Sequence, residues 1–273
     1  MNKLGIRAHD IGKLSASDLA KEVSNIGFDG VQLVFQKALQ TDVDFNHLEE
    51  VKNAFTKPFI MMLGAYFNPV HPDQNEVEKG ILKFEEHLKI AKRLNCLYVG
   101  TETGSYQGSP WTYHPKNHTY EGMHEAISVF KRLVETAEKH DAYVAIEGAY
   151  QHVAYSPERL KLMIDHINSP RLKVTVDLFN YLNPYNYQDR MEIFEKALKL
   201  FDQKIVIFHL KDYIYEDGKL IQVGLGQGLM DYKTIIKRIK ETHPNAYLIF
   251  EGVTGDDIKT SYQYIKTLLE KDV

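Results

Sequence analysis

Eight short apolar runs, each rich in β-forming residues, are spread along the whole chain with longer amphipathic stretches between them. They read LGIRAH (4–9), GVQLVF (30–35), FIMMLGAY (59–66), CLYVGTE (96–102), YVAIE (143–147), KVTVD (173–177), IVIFH (205–209) and YLIFE (247–251). Runs this short and this apolar suit strands covered on both faces, as in a parallel sheet flanked by helices. The intervening stretches carry helix signals. SASDLAKEVSNIG offers Ser15 or Ser17 as a cap and Gly27 as a stop, and SPERLKLMIDHI offers Ser156 followed by Pro157. Apolar residues recur at helical spacing from Val77, from Met123 and from Ile258.

Eight strand–helix units in 273 residues match a single (β/α)8 barrel in both count and length. An open doubly wound sheet would place a glycine-rich phosphate turn after its first strand, and HDIGKLS is not one. No linker, low-complexity segment or short repeat divides the chain, so residues 1–273 read as one domain. A hydrophobic content of 44% supplies a core for it.

The net charge of −4, with basic and acidic residues mixed as in KFEEHLKIAKR, gives no footprint for nucleic acid. Cys96 is the sole cysteine, which excludes an intrachain disulfide and a multi-thiolate metal site. MNKLGIRAHD lacks a signal-peptide core and no apolar run is long enough to span a bilayer, so the expectation is a cytoplasmic protein without a membrane partner.

In such a barrel, functional groups collect where strands end. The last four strands end in Glu147, Asp177, His209 and Glu251, which are 30, 32 and 42 residues apart, about one strand–helix unit each. Three carboxylates brought to one mouth repel unless a cation joins them or some hold protons. A mixed oxygen and nitrogen set suits one divalent ion such as Mn, Zn, Mg, Co or Fe. Taken singly, each residue could as well begin a loop, cap a helix or sit as a structural histidine. Lys211, two residues past His209, would point the same way in a continuing strand; a surface pair with Asp212 is the alternative. Glu102 and His71 are weighed equally between substrate contact and local structure. The polar-aromatic loop GSYQGSPWTYHPKNHTY carries the one tryptophan, Trp111, and reads as a lid over a sugar or as a contact for a partner subunit in a homo-oligomer.

With these residues in place the chain resembles the xylose isomerase-like TIM barrels. That family includes sugar phosphate isomerases and epimerases, ketose 3-epimerases, hydroxypyruvate isomerase, inosose dehydratase and the endonuclease IV group. Its Glu–Asp–His–Glu metal set is matched by Glu147, Asp177, His209 and Glu251; HLKD is similar to its strand-seven motif, and VGLGQGLMDY to the glycine-rich turn that follows. LGAYFNPVHPD and VGTETGS are similar to a bacterial sugar-isomerase branch.

The resemblance implies an enzyme that moves a proton through a metal-stabilised enediolate, with Glu147 and Glu251 as the catalytic pair and a small carbohydrate as substrate. Many members carry a histidine three residues after the strand-six aspartate, where this chain has Asn180. That departure, with the lack of a basic surface, speaks against DNA cleavage and puts in doubt any substrate contact the histidine would make. A metal-dependent dehydratase of a cyclic polyol ketone needs the same ligands, and a non-catalytic sugar-binding barrel is the reading from another class. No Arg cluster or other phosphate motif stands out in the sequence, which favours an unphosphorylated sugar.

Overall fold

The computed structural model describes residues 2–271. All eight apolar runs form strands: β1 (Leu4–Arg7), β2 (Gly30–Leu33), β3 (Phe59–Gly64), β4 (Tyr98–Glu102), β5 (Tyr143–Glu147), β6 (Leu172–Asp177) and β7 (Ile205–Leu210), then, after a hairpin of β8 (Asp212–Glu216) and β9 (Lys219–Val223), β10 (Tyr247–Phe250). The eight long-range strands close into a barrel in the order β1-β2-β3-β4-β5-β6-β7-β10, and every neighbouring pair is parallel. This is the (β/α)8 architecture expected from the strand count.

The helices are α1 (Ala8–Ile11), α2 (Ala16–Ile26), α3 (Phe35–Ala38), α4 (Glu49–Ala54), α5 (Gln74–Ala91), α6 (Tyr120–Lys139), α7 (Pro157–Ile167), α8 (Arg190–Phe201), α9 (Tyr232–Thr242) and α10 (Asp257–Glu270). Their ends follow the sequence signals. Ser15 Oγ accepts the Asp18 N–H at 3.1 Å, Ser156 caps α7 ahead of Pro157, and Asp231 caps α9. Such caps are worth about 1 kcal/mol each. Gly27 ends α2 at φ 110, a conformation that strains any residue with a Cβ.

Two apolar layers hold the barrel. The larger lies between strands and helices and includes fully buried Phe84, Phe130, Leu160 and Ile239. The smaller fills the barrel with Met61, Met62, Ala145, Ile207 and Ile249. Methionine here packs against strands stripped to backbone. A Cβ on Gly5 would stand 2.5 Å from Met61 Sδ, and one on Gly100 would stand 2.4 Å from Met62 Sδ.

The β8–β9 hairpin pairs only with itself and rises from the rim after β7. Its signal in the sequence is the Asp-Gly pair: Asp217 and Gly218 take φ 48 and 75, the left-handed pair that a two-residue hairpin turn requires. Among the described residues no helix is long and apolar enough to cross a membrane.

Candidate metal and substrate site

Parallel register sets the strand-end residues side by side. Asp177 of β6 is the partner of His209 on β7, and Glu102 of β4 is the partner of Glu147 on β5. Glu251 follows β10 directly, its N–H donating to Leu210 O at 3.2 Å. All five therefore share the carboxyl-terminal rim, where the chain leaves the barrel.

His209 is the hub. Its Nδ1 lies 2.9 Å from Glu251 Oε2, 3.3 Å from Glu147 Oε2 and 3.8 Å from Asp177 Oδ2. Lys211 does reach into this cluster. Its Nζ stands 2.7 Å from Asp177 Oδ2 and 2.9 Å from Glu251 Oε1, and donates to Asn180 Oδ1 at 3.0 Å. From β1, Arg7 donates to Glu251 Oε1 at 2.8 Å while gripping Asp10.

Besides any ion, basic side chains already face the three carboxylates: Lys211, Arg7 and His209 stand among Glu147, Asp177 and Glu251. Burial alone would discharge His209, but the Glu251 and Glu147 charges outweigh it and lift its pKa to about 10. Burial opposes the Lys211 charge as well, and Asp177 and Glu251 more than offset it. Burial would raise Glu251, yet Lys211 and His209 hold it well below the usual carboxylate range. At Asp177 burial wins over the nearby Lys211, pushing the carboxyl up to about 6.

A cation still fits the donors present. Glu147, Asp177 and His209 are buried and each offers a ligand atom, all within 4.8 Å of one another. His209 Nδ1 points among carboxylate oxygens without an aligned hydrogen-bond partner, an orphan that a metal would satisfy. Two oxygens and one imidazole nitrogen suit Mg, Mn, Zn or Co. Glu251 stands beside this trio rather than in it, with Oε1 engaged by Arg7 and Lys211.

Asn180 ties the cluster together. Its Nδ2 donates to Glu147 Oε1 at 2.6 Å, its N–H donates to Asp177 Oδ1 at 3.1 Å, and its carbonyl accepts from Tyr150 N at 2.7 Å. Asp212 does not pair with Lys211. It is buried and accepts the N–H groups of Gly226, Gly228 and Met230 at 2.9–3.0 Å, which folds the glycine-rich turn under the hairpin. Gly228 passes so near that a Cβ would lie 2.3 Å from Asp212 Oδ1.

His71 is not brought to this cluster. Asn68 Nδ2 donates to the carbonyls of Ser105 and Gly108 at 2.7 and 3.1 Å, so the segment after β3 turns outward, and His71 lines a separate depression with Tyr106, His114 and Lys116. The loop after β4 is fixed at its base by buried Asn117, which donates to Ser105 Oγ and Gln151 O. Trp111 from that loop packs edge-on to His152, ring centroids 5.9 Å apart.

Glu102 lines two cavities. One of about 440 Å³ is walled by Tyr150, His152, Phe179, Asn180 and Lys219 of β9. The other, of about 390 Å³, is lined by Arg7, Gln32, Tyr66, Trp111 and Glu251. Burial first, then the Glu147 charge, raises the Glu102 carboxyl to about 8, and burial lowers His152 to about 4. Arg7, Gln32, Tyr66 and His152 are site residues that the sequence reading missed. For Arg7 there was a signal, a charge closing an otherwise apolar first strand, which is the same pattern read at the last four strands.

The family model for xylose isomerase-like TIM barrels matches residues 20–268. No curated protein sequence matches the chain significantly. Solved structures share the fold along nearly the full length. A 3-keto-D-glucoside 4-epimerase from E. coli in its apo form superposes with TM-score 0.77 at 14% identity, covering 98% of this chain and 100% of that one. A xylose isomerase-like TIM barrel protein from Mycobacterium smegmatis in complex with magnesium gives 0.74 at 16% identity, covering 98% and 96%. An IolI protein with a bound zinc atom gives 0.75 at 19% identity, covering 97% and 96%.

Proposed function

Because the chain belongs to the xylose isomerase-like TIM barrel family, we propose that it is a divalent-metal-dependent isomerase or epimerase of a sugar or sugar derivative. The observation that carries this reading is the convergence of Glu147, Asp177 and His209 within 4.8 Å, at a rim where Glu102 lines two cavities of mixed polar and apolar character. An epimerase of a keto-glucoside and two metal-bound barrels among the structural neighbours support it. Glu147, Asp177 and His209 would hold the ion, with Glu251 beside them. When bound, such an ion supplies Lewis-acid polarisation of a sugar carbonyl.

The remaining work falls to the side chains. Glu251 is kept ionised by Lys211 and Arg7, both of which contact its Oε1, and we assign it as the base for a C–H proton. Glu147 has Oε1 held by the Asn180 amide, which leaves Oε2 facing the cluster to return a proton from the other side. Proton transfer by positioned groups of this kind contributes about 10²–10⁴ in rate. Lys211 would donate to a substrate oxygen where charge develops, and Asn180 would fix both Lys211 and Glu147. Glu102, whose carboxyl is raised to about 8, is a neutral hydrogen-bond donor for a hydroxyl at neutral pH. Trp111 offers a flat apolar wall to a sugar ring. In this reading the substrate is a small carbohydrate and residues 1–273 act as one domain.

The test is metal content of the purified protein with and without chelator, in wild type and in His209→Ala. The expected result is a single tightly held divalent ion per chain, absent from the variant. The loaded protein should then introduce solvent deuterium into a ketose in D₂O, and Glu251→Gln should abolish that exchange. A wild-type protein that takes up none of Mn, Zn, Mg or Co overturns the reading.

A further inference from the structure

The cavity between Tyr66 and Trp111 carries a feature that proton transfer does not use. Beyond Glu251 and Glu102 its wall carries Arg7, Lys37 and Lys83, with His9 kept neutral because burial and then the Arg7 charge lower it to about 4. Arg7 is committed to Asp10 and Glu251. The two lysines are not committed to any acid. Many lysines of this chain, among them Lys79, Lys89, Lys92, Lys116, Lys161 and Lys196, sit within 4 Å of a carboxylate. Among the described residues Lys37 and Lys83 have no such partner, and Lys83 Nζ donates to the neutral Gln36 Oε1 at 3.0 Å.

Burial and then the Lys37 charge push Lys83 below its ordinary pKa, so the two ammonium groups repel within one recess. His9 Nδ1 is buried on the same wall without a hydrogen-bond partner, and the buried Gln32 Oε1 lacks one as well. Exposed Lys37 and half-buried Lys83 thus stand, without a carboxylate partner, on the same recess that Glu251 lines.

Resting on the isomerase reading of the metal centre, we propose that the substrate bears an anionic substituent, a carboxylate or a phosphate ester, held between Lys37 and Lys83. Its polyol end lies toward Gln32, Tyr66 and Glu251. This revises the expectation of a neutral sugar, which the sequence favoured because no arginine cluster or phosphate loop stands out in it. Lys37 comes from α3 and Lys83 from α5, 46 positions apart in the chain, and only the fold makes them neighbours.

Trp111 is the sole tryptophan and lines the recess, so its emission reports on occupancy. Metal-loaded wild type and the Lys37→Met/Lys83→Met double variant are titrated at constant ionic strength with inorganic phosphate and with acetate. A saturable change is expected with at least one anion, weakened about tenfold for each charge-assisted contact removed. Stronger binding of phosphate assigns a phosphate ester, and stronger binding of acetate assigns a carboxylate. Unchanged melting temperature and metal content in the double variant exclude unfolding as the cause. No saturable response to either anion, or equal affinity in the double variant, overturns the proposal. Neither lysine belongs to the metal cluster. A chain that holds no metal therefore fails the isomerase reading while still giving this readout.

Discussion

His209 and His87 are equally buried imidazoles, 4% and 3% exposed, yet one is driven toward charge and the other away from it. At the rim of β5, β6, β7 and β10, carboxylates crowd His209 and raise it to about 10. Behind β3, His87 of α5 lies between Phe35 and Phe45, ring centroids 5.5 and 5.1 Å away. Its Nδ1 is 2.7 Å from Lys83 O, and burial lowers it to about 4. Tyr66, at the end of β3, likewise keeps its proton because burial raises its pKa well above normal. Burial is common to both regions; what separates them is how many opposite charges stand within reach. His209 keeps its charge by pairing, and His87 loses its charge by exclusion from water.

The largest test of this division is Glu147→Gln. It should lose the bound metal and lower deuterium exchange by about 10²–10⁴, read by metal analysis and by NMR in D₂O. Retention of both would deny the charged side any special chemistry. Lys211→Met comes next, since it strands Asp177 and Glu251 with one cation fewer. Urea unfolding of the metal-free protein should show a loss of about 3–5 kcal/mol, partly regained on adding metal. A loss below about 1 kcal/mol would mean that pairing does not hold this region together.

On the neutral side, His87 sets an acid limit. In the unfolded chain the imidazole protonates near 6.5, and in the folded protein only near 4, so between these values the unfolded state binds more protons and stability falls with falling pH. His87's share of the loss from pH 7 to pH 5 should be about 2 kcal/mol, beside that of His152, and His87→Leu should remove that share. An identical profile in the variant would remove His87 as its cause. Tyr66→Phe should cost the least, about 1 kcal/mol for the hydrogen bond from Gln32 Nε2 to the phenol at 2.8 Å, with metal content unchanged. Metal loss in that variant would join the two regions that the pKa shifts separate.

The strands were legible because each is a short apolar run set between longer amphipathic stretches. Glu147, Asp177 and His209 were legible because parallel strands repeat the same end at near-constant spacing. The sequence left Lys211 open between the cluster and a surface pair with Asp212, because its partners, Asp177 and Glu251, belong to other strands and left no local trace. His71 looked equivalent to the strand-end residues in the sequence. Asn68 decides otherwise by pinning that loop to the backbone after β4, a long-range bond that no local pattern announces. Gln32 and Tyr66 face the same recess from neighbouring strands, and their sequence context is that of ordinary core residues. The Asp217–Gly218 turn was readable, but a hairpin inserted between two barrel strands breaks the alternation on which the reading relied.

That hairpin gives the barrel a separable wall. β8 and β9 share no ladder with the eight closed strands. β8 is anchored at its base by Asp212 and by Tyr213, which is buried in the core and donates to Tyr187 O at 3.1 Å. Farther out the ties are the Gln222 bond to Glu251 O and the stacking of Tyr215 on Tyr187. Its height is thus free to vary while the ligand strands stay in register. A lineage, or a designer, could lengthen or shorten this one wall to admit larger or smaller substrates without reopening the problem of how the barrel folds.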